Sequence, residues 1–316
     1  MLAYAFFNGF NNSGTLVAAP ISTRALPPRL AVALAVIAEF VGPFVFGVAV
    51  AATVGRDFLD TSALNMNVLL ATAIAVIAWN AVTWFLGIPS SSSHALIGGL
   101  GGAAFAAAGI AVFKWDGILK IFAALLLAPL LGFVGGYLFL KITLFLVQGA
   151  SPRINTVFRS LQSVTTIALA LSHGANDGQK AMGLITLGLV VLGAQSDFTI
   201  PRWVTLLVAG ALALGVATGG YRIIRTLGGK MYRLRPIHGL TSQAAAATII
   251  LGSSVLGAPV ATTQVISTAI LGAGAAERMR AVRWGVVTQI LMAWLITIPI
   301  VALGAAIVYL LLARVF

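Results

Sequence analysis

Long apolar stretches recur from one end of this chain to the other, and most of them contain no charged residue. Only 8% of the 316 residues are charged and 60% are hydrophobic, whereas a soluble domain carries about 25% charged residues. A globule of this size in water has too little interior to hide so much apolar surface. Lipid must therefore be the solvent for most of the chain, and apolar stretches of about 20 residues predict helices that cross it.

Ten stretches are long and apolar enough to be spanning helices, with boundaries good to a few residues. They are 1–23, 30–54, 66–87, 90–113, 117–147, 160–195, 201–221, 238–256, 259–276 and 284–313. The stretch 160–195 is too long for one span and has polar residues in its middle, so it is either a broken helix or two segments. The regions 66–113 and 238–276 either span fully or re-enter. The expected fold class is an all-α integral membrane protein with about ten transmembrane segments.

Basic residues lie mostly in alternate loops between the apolar stretches, which is the pattern of membrane topology. The loops richer in Lys and Arg, such as those with Arg24, Arg153 and Arg278, are predicted to be cytoplasmic. The formal net charge of +12 is therefore explained by membrane topology and does not indicate nucleic-acid binding. The expected location is the plasma (inner) membrane, as a multi-pass protein. The chain has no cysteine, which excludes disulfides, zinc–thiolate sites and thiol catalysis.

Two polar motifs interrupt the apolar pattern, and each occurs twice. The Asn/Asp motif is FNGFNN at 7–12 and SHGAND at 172–177, and the hydroxyl motif is GIPSSSSH at 87–94 and GAPVATTQ at 257–264. The copies are offset by 165 and 170 positions and are separated by five predicted spans, so they have opposite orientations in the membrane. Many secondary transporters consist of such inverted-topology repeats, with broken or re-entrant helices and a site at mid-membrane. We expect one transport domain, with the first repeat and its following span in 1–150 and the second repeat and the final span in 151–316.

The hydroxyl motif has a Gly-x-Pro turn followed by hydroxyl residues and a long apolar run. Because proline fits the first turn of a helix and small polar residues cap it, each copy is expected to start a helix at membrane depth. The free N–H groups, the hydroxyls and the helix dipole at such a start favour an anion. The alternative is that the hydroxyls only bond neighbouring backbone. Four consecutive serines, matched by Thr262 and Thr263 behind the same turn, favour an oxyanion site.

The Asn/Asp motif places amides and a carboxylate, with Gln179 and Lys180 just after it, inside apolar stretches. Amide, carboxylate and unwound backbone oxygens are the ligands of a hard cation. A carboxylate in the bilayer is costly unless it is paired or functional, and Asp177 precedes Lys180 by the spacing of a helical ion pair. The two interpretations are compatible, because a pair can break when a cation binds. Glu39, the other acid inside a predicted span, is either a proton or cation site or a packing contact.

The three histidines, His94, His173 and His238, share no metal-ligand spacing, which argues against a transition-metal site. His94 follows a run of serines, but no acid stands near enough in the sequence to suggest a catalytic triad. Residues 99–104 mimic the dinucleotide fingerprint G-x-G-x-x-A, but no strand precedes them. The chain is therefore not expected to be an enzyme or to hold a cofactor.

Small residues also recur at helical spacing. Gly132 and Gly136, and likewise Gly215 and Gly219, stand four positions apart, which predicts a close approach of neighbouring helices. Gln243 is polar within an apolar stretch and predicts an interhelical hydrogen bond.

These motifs resemble the inorganic phosphate transporters of the PiT type, and the resemblance covers almost the whole chain. It is carried by NGFNNSG (8–14), WNAVTWFLGIPSSSSHALIGG (79–99), SHGANDGQKAMG (172–183), ALGVATGGYRIIRTLG (213–228) and GAPVATTQVISTAILGAGAAER (257–278). The blocks at 79–99 and 172–183 are highly specific, and either alone indicates the family. The resemblance implies phosphate uptake coupled to sodium or protons, with inorganic phosphate, a cation and the lipid bilayer as partners.

The resemblance also implies roles for the residues that match its motifs. The substrate-binding residues would be Ser91, Ser92, Ser93, Thr262, Thr263, Asn176 and Asp177. The cation-binding residues would be Asn11, Asn12, Asn176, Asp177 and Glu39. The supporting residues would be Asn8, Gln179, Lys180 and Gln243.

The chain departs from the family pattern at a few motif positions. Asn12 and Gln243 are neutral where members often carry Asp and Glu, while Ala261 and Gln264 stand where a Ser and a His are usual. Loss of negative charge should weaken cation attraction, which leaves the coupling ion and the stoichiometry open. Some relatives carry sulfate, so a sulfate or other oxyanion permease of the same fold is the alternative, and a passive anion channel is a more remote one. A homo-oligomer is compatible with the sequence.

Overall fold

The computed structural model describes residues 1–61, 64–87, 90–220, 224, 226–227 and 232–315. In these ranges the regular elements are eleven α-helices and short π or 3-10 turns, without a β-strand. The helices are α1 (Leu2–Ser22), α2 (Pro28–Val45), α3 (Ala49–Ala52), α4 (Met66–Leu86), α5 (Ser92–Ala108), α6 (Trp115–Leu146), α7 (Ile154–Val191), α8 (Arg202–Thr218), α9 (Pro236–Val255), α10 (Thr262–Arg278) and α11 (Trp284–Val315). Each of the ten predicted stretches contains one long helix, and the stretch 30–54 also contains the short α3.

Four of these helices, α2, α4, α6 and α11, are long and apolar enough to cross a membrane by length and composition alone. Their outer faces are apolar: Leu126 of α6 and Leu295 of α11 are 68% and 70% exposed, as expected for side chains that face lipid. The chain is therefore an integral membrane protein. Helices α5, α8 and α10 have 17 residues each. Such a helix is about 26 Å long, shorter than the roughly 30 Å hydrocarbon core.

The expectation of a broken helix or two segments at 160–195 is wrong. Helix α7 runs unbroken over 38 residues, and α1 likewise continues through its copy of the Asn/Asp motif. The backbone therefore supplies no unwound carbonyls at either copy of this motif. The reason is that the polar side chains find partners on other helices, as described below, and that α7 contains no proline to open its hydrogen bonds.

The turn before α10 also differs from the expectation. Pro259 lies three residues before the start of the helix at Thr262, so it is not in the first turn. A proline disfavours helical backbone in the residue before it, which keeps the chain out of the helix at Ala258. The first copy of the turn contains Ile88 and Pro89, which lie outside the described residues. The predicted helix starts themselves are confirmed, at Ser92 and Thr262.

Several helices pack in pairs that each join one helix from residues 1–150 with one from residues 151–316. Helix α1 packs against α8 and α7 against α2, while α5 packs against α11 and α10 against α6. Glycines allow the close approach: a Cβ added at Gly136, Gly215 or Gly102 would overlap a backbone oxygen of the partner helix. The close approach predicted for Gly132 and Gly136, and for Gly215 and Gly219, is therefore confirmed.

Candidate functional site

Asp177 of α7 has no exposed surface, and three helices meet at its carboxylate. Its Oδ2 accepts hydrogen bonds from Asn8 Nδ2 on α1 at 3.1 Å and from Thr262 Oγ1 on α10 at 3.2 Å. Its Oδ1 lies 2.5 Å from Lys180 Nζ, so the predicted ion pair is present. A buried carboxylate is tolerated only when it is paired and hydrogen-bonded, and these contacts meet that requirement.

The start of α10 is connected to the same cluster through both of its threonines. Thr263 donates to Asn12 Oδ1 at 2.6 Å, and Asn12 Nδ2 in turn donates to Asn8 Oδ1 at 2.6 Å and to Asp177 Oδ2 at 3.5 Å. The N-cap residue of α10 is Ala261, which has no side chain to cap the helix. The first N–H groups of a helix have no partner within it. This start therefore combines a positive dipole end with two hydroxyls that contact the Asn/Asp motif.

The start of α5 is built differently. Ser91 caps the helix, because its Oγ accepts from the backbone N–H of His94 at 3.1 Å. Ser93 Oγ donates to Val260 O at 3.0 Å and accepts from Lys180 Nζ at 2.6 Å. Ser92 Oγ is buried and has no hydrogen-bond partner in the part of the chain that the structure describes. This start thus keeps one hydroxyl available for a ligand.

The two helix starts lie side by side. In addition to the contact of Ser93 with Val260, Gln264 Nε2 lies 3.1 Å from His94 Nδ1. These residues come from the two copies of the hydroxyl motif, which the sequence predicts to meet at one site. Both positive dipole ends and the Asp177–Lys180 ion pair therefore lie in one buried region.

A chain of titratable side chains extends from α2 to this region. Glu39 Oε1 forms a 2.7 Å hydrogen bond with His173 Nδ1. His173 Nε2 lies 3.2 Å from Asp177 Oδ2, which is ion-pair distance without hydrogen-bond alignment. All three side chains are fully buried. Sequence reasoning selected Glu39 but left His173 out of the site; the available signal was that His173 precedes Asp177 by one helical turn.

Two of the predicted cation ligands contact other parts of the fold. Asn11 Nδ2 donates to the backbone oxygen of Asn80 on α4 at 3.1 Å. Asn176 Nδ2 donates to Ser254 Oγ at 2.9 Å and to Ala258 O at 3.2 Å. The side-chain oxygens of Asn11 and Asn176 are buried, and neither has a hydrogen-bond partner among the described residues. The structure therefore does not join these two amides to the Asp177 cluster by hydrogen bonds, and sequence reasoning missed Ser254 and Asn80.

The predicted supporting glutamines connect helices. Gln179 Oε1 accepts from the backbone N–H of Val50 on α3 at 2.8 Å. Gln243 on α9 accepts from Thr165 Oγ1 at 2.9 Å and donates to Leu16 O at 3.3 Å. The interhelical role predicted for Gln243 is thus confirmed.

A surface cavity of about 580 Å³ lies near the segment that leads into α10. Its lining residues are Arg56, Asp57, Lys114, Trp115, Asp116, Gly117 and Lys120. Lys120 Nζ donates to Thr53 Oγ1 at 3.0 Å, and Thr53 donates to Gly257 O at 2.8 Å. One lining residue of this cavity, Lys120, is therefore linked through Thr53 to the segment before α10.

Comparison with known proteins agrees with the resemblance seen in the motifs. The sequence profile described as "Phosphate transporter family" matches residues 8–305. A "Probable low-affinity inorganic phosphate transporter" of Bacillus subtilis (strain 168) is 42% identical over 319 residues, which cover 100% of this chain and 96% of the relative. A protein of the same description from Rhizobium meliloti (strain 1021) is 41% identical, with coverage of 98% and 93%.

A solved structure has the same fold. "The sodium-dependent phosphate transporter" superposes on this chain with a TM-score of 0.90 and 25% sequence identity, covering 100% of this chain and 97% of the other. These similar proteins are named for transport and not for catalysis, in agreement with the prediction that the chain is not an enzyme.

Proposed function

Because this chain belongs to the phosphate transporter family, we propose that it is a secondary transporter that carries inorganic phosphate across the plasma membrane together with a cation, sodium or a proton. The observation that carries the proposal is the meeting of two helix starts, α5 and α10, at the buried cluster around Asp177. A transported anion needs donors to replace its water, and a transported cation needs oxygens. Both kinds of group converge here.

The anion site comprises the two helix starts. Phosphate is strongly hydrated, so a dry site must replace its water with many hydrogen-bond donors. Backbone N–H groups, hydroxyls and aligned dipoles at helix N-termini supply them. The Ser92 hydroxyl has no partner within the described ranges, which supports this assignment. The proposed substrate ligands are Ser91, Ser92, Ser93, Thr262, Thr263, Asn176 and Asp177.

The cation site lies against the anion site, so that one charge offsets the other in a medium of low dielectric constant. This mutual stabilisation makes the binding of the two ions interdependent, which is the basis of coupling. Side-chain oxygens of Asn11, Asn176 and Glu39 have no hydrogen-bond partner among the described residues, which supports a role in holding a cation or proton. The proposed cation ligands are Asn11, Asn12, Asn176, Asp177 and Glu39, with Asn8, Gln179, Lys180 and Gln243 in support.

Two inverted repeats, with their following spans in 1–150 and 151–316, would move around this site. The helix packing supports the proposal, because equivalent helices of the two repeats have equivalent partners. Helix α1 packs against α8 as α7 packs against α2, and α5 packs against α11 as α10 packs against α6. Rocking of one repeat against the other would expose the site to each side of the membrane in turn.

Uptake of labelled phosphate into proteoliposomes tests the function. Sodium and proton gradients are imposed separately, and excess unlabelled sulfate is added as a competitor. We expect uptake that resists sulfate and follows a cation gradient. Uptake that ignores both gradients contradicts coupling, and uptake abolished by sulfate moves the function to a sulfate permease.

A further inference from the structure

Lys180 is one of the largest fully buried side chains, with 1% of its surface exposed, although it is a lysine in a membrane protein. Its Nζ lies 2.5 Å from Asp177 Oδ1, 2.6 Å from Ser93 Oγ and 2.7 Å from Val260 O. These three oxygens come from α7, from the first turn of α5 and from the linker before α10. The amine therefore lies between the two helix starts and the Asn/Asp motif.

The hydrogen bonds determine the charge of this amine. A carboxylate oxygen and a backbone oxygen can only accept. Ser93 uses its own hydroxyl hydrogen to donate to Val260 O at 3.0 Å, so it accepts from Lys180. Three acceptors require three N–H groups, and only an ammonium has three. With Asp177 ionised, Lys180 is therefore positively charged where it lies.

The ligands of this ammonium are those of a hard metal cation. Carboxylate, hydroxyl and carbonyl oxygens are the groups that bind such ions in proteins. The Asn/Asp motif is also where the sequence predicts a cation. A fixed ammonium makes a second cation costly: at about 4 Å and an effective dielectric constant near 20, repulsion lowers the affinity on the order of a thousandfold.

We infer that the Lys180 ammonium occupies this site in place of a bound sodium ion, so that phosphate binding does not require sodium. The inference rests on the proposed phosphate transport and excludes sodium as the required coupling ion. A phosphate oxygen that replaces Val260 O as an acceptor would let Nζ bridge Asp177 to the anion. Lys180 is then a specificity-determining residue that sets the ion dependence of transport.

The first test is phosphate uptake by Lys180→Asn, by the wild type and by Lys141→Asn, a lysine on the exposed side of α6, with sodium replaced by choline at constant pH. Asparagine supplies an amide oxygen that can bind sodium, and it lacks the positive charge of the lysine. The wild type and the Lys141 variant should keep their uptake within twofold in choline. The Lys180 variant should lose at least tenfold in choline and recover at least fivefold in sodium. Sodium-dependent wild-type uptake, or a Lys180 variant equally active or equally inactive in both media, overturns the inference.

The second test needs no transport. The thermal midpoint of each purified protein is compared in sodium chloride and in choline chloride at 100 mM. Sodium should raise the midpoint of Lys180→Asn by about 3 °C and leave the wild type unchanged, because only the variant binds the ion. Sodium stabilisation of the wild type, or none in the variant, overturns the inference. A wild type that carries no phosphate refutes the proposed function, while this measurement still decides the role of Lys180.

Discussion

The two hydroxyl-rich helix starts come from nearly the same motif, yet the protein holds them in different ways. The start of α5 is capped by its own Ser91 and leaves Ser92 without a partner among the described residues. The start of α10 has Ala261 at the cap position, and both of its threonine hydroxyls donate to the Asn/Asp motif. The cap of α5 is thus a local contact, with Ser93 bonded to Lys180 and Val260 beyond it, whereas α10 has no side-chain cap and is held by α1 and α7.

The two helix starts are therefore expected to have different roles. The start of α5, which Ser91 caps, leaves the Ser92 hydroxyl for a ligand. The start of α10 is hydrogen-bonded to Asn12 and Asp177, so a change at either residue should move it. Changes at α10 should therefore disturb stability and transport together. Changes at α5 should separate the two.

The largest effect is expected from Asp177→Asn, which removes the charge that anchors α10 and pairs with Lys180. Loss of one partner of a buried ion pair costs about 3 kcal/mol of folding stability. Phosphate uptake should fall at least a hundredfold, and the thermal midpoint should fall with it. The matched control is Asp197→Asn on an exposed loop, which should change stability by less than about 0.5 kcal/mol. If the Asp177→Asn variant takes up phosphate within twofold of the wild type, this carboxylate does not belong to the binding site.

Thr263→Val tests the connection between α10 and α1. It leaves Asn12 Oδ1 without the donor that now lies 2.6 Å away, and a buried acceptor that loses its partner costs about 1–3 kcal/mol. We expect a lower thermal midpoint and roughly tenfold slower uptake, which is the size of a lost hydrogen bond. Thr248→Val on the exposed face of α9 is the control for the same substitution. Equal midpoints for the two variants would show that α10 does not depend on this contact.

Ser92→Ala tests whether α5 keeps a hydroxyl for the ligand. Because Ser92 Oγ has no partner in the described part of the chain, the free energy of unfolding should stay within about 0.5 kcal/mol of the wild type, with the thermal midpoint nearly unchanged. The KM for phosphate should rise about tenfold, since a hydrogen bond to a charged group contributes about 1.5 kcal/mol. Kinetics of uptake over a range of phosphate concentrations measure this. An unchanged KM excludes Ser92 from the anion site, and a lower midpoint shows that the hydroxyl is structural.

The smallest effect concerns the caps themselves. Ala261→Ser should give α10 the cap that Ser91 gives α5, and it should add about 0.5 kcal/mol of stability. Ser91→Ala should remove about 1 kcal/mol. Thermal unfolding of both variants measures the pair. If Ser91→Ala leaves the midpoint unchanged, the cap is not what distinguishes the two starts.

Much of the fold is readable from the chain because it depends on local patterns. Apolar stretches of sufficient length predicted ten helices, and the glycine pairs of α6 and α8 predicted where backbones approach. The site was partly readable, because repeated motifs pointed to Ser93, Thr263 and Asp177. His173, Ser254 and the carbonyl of Val260 were missed, since their roles depend on partners far away in the sequence.

The helical class, the family, the two helix starts and the spacing of Asp177 and Lys180 could all be read from the chain alone. These follow from run length, capping chemistry and helical periodicity, all of which act over a few residues. The unbroken course of α7, the contacts of Asn11 and Asn176 with other helices, and the three acceptors around Lys180 Nζ became visible only in the folded molecule. A buried polar group is stable only with partners in place, and here those partners come from helices that are far apart in the sequence.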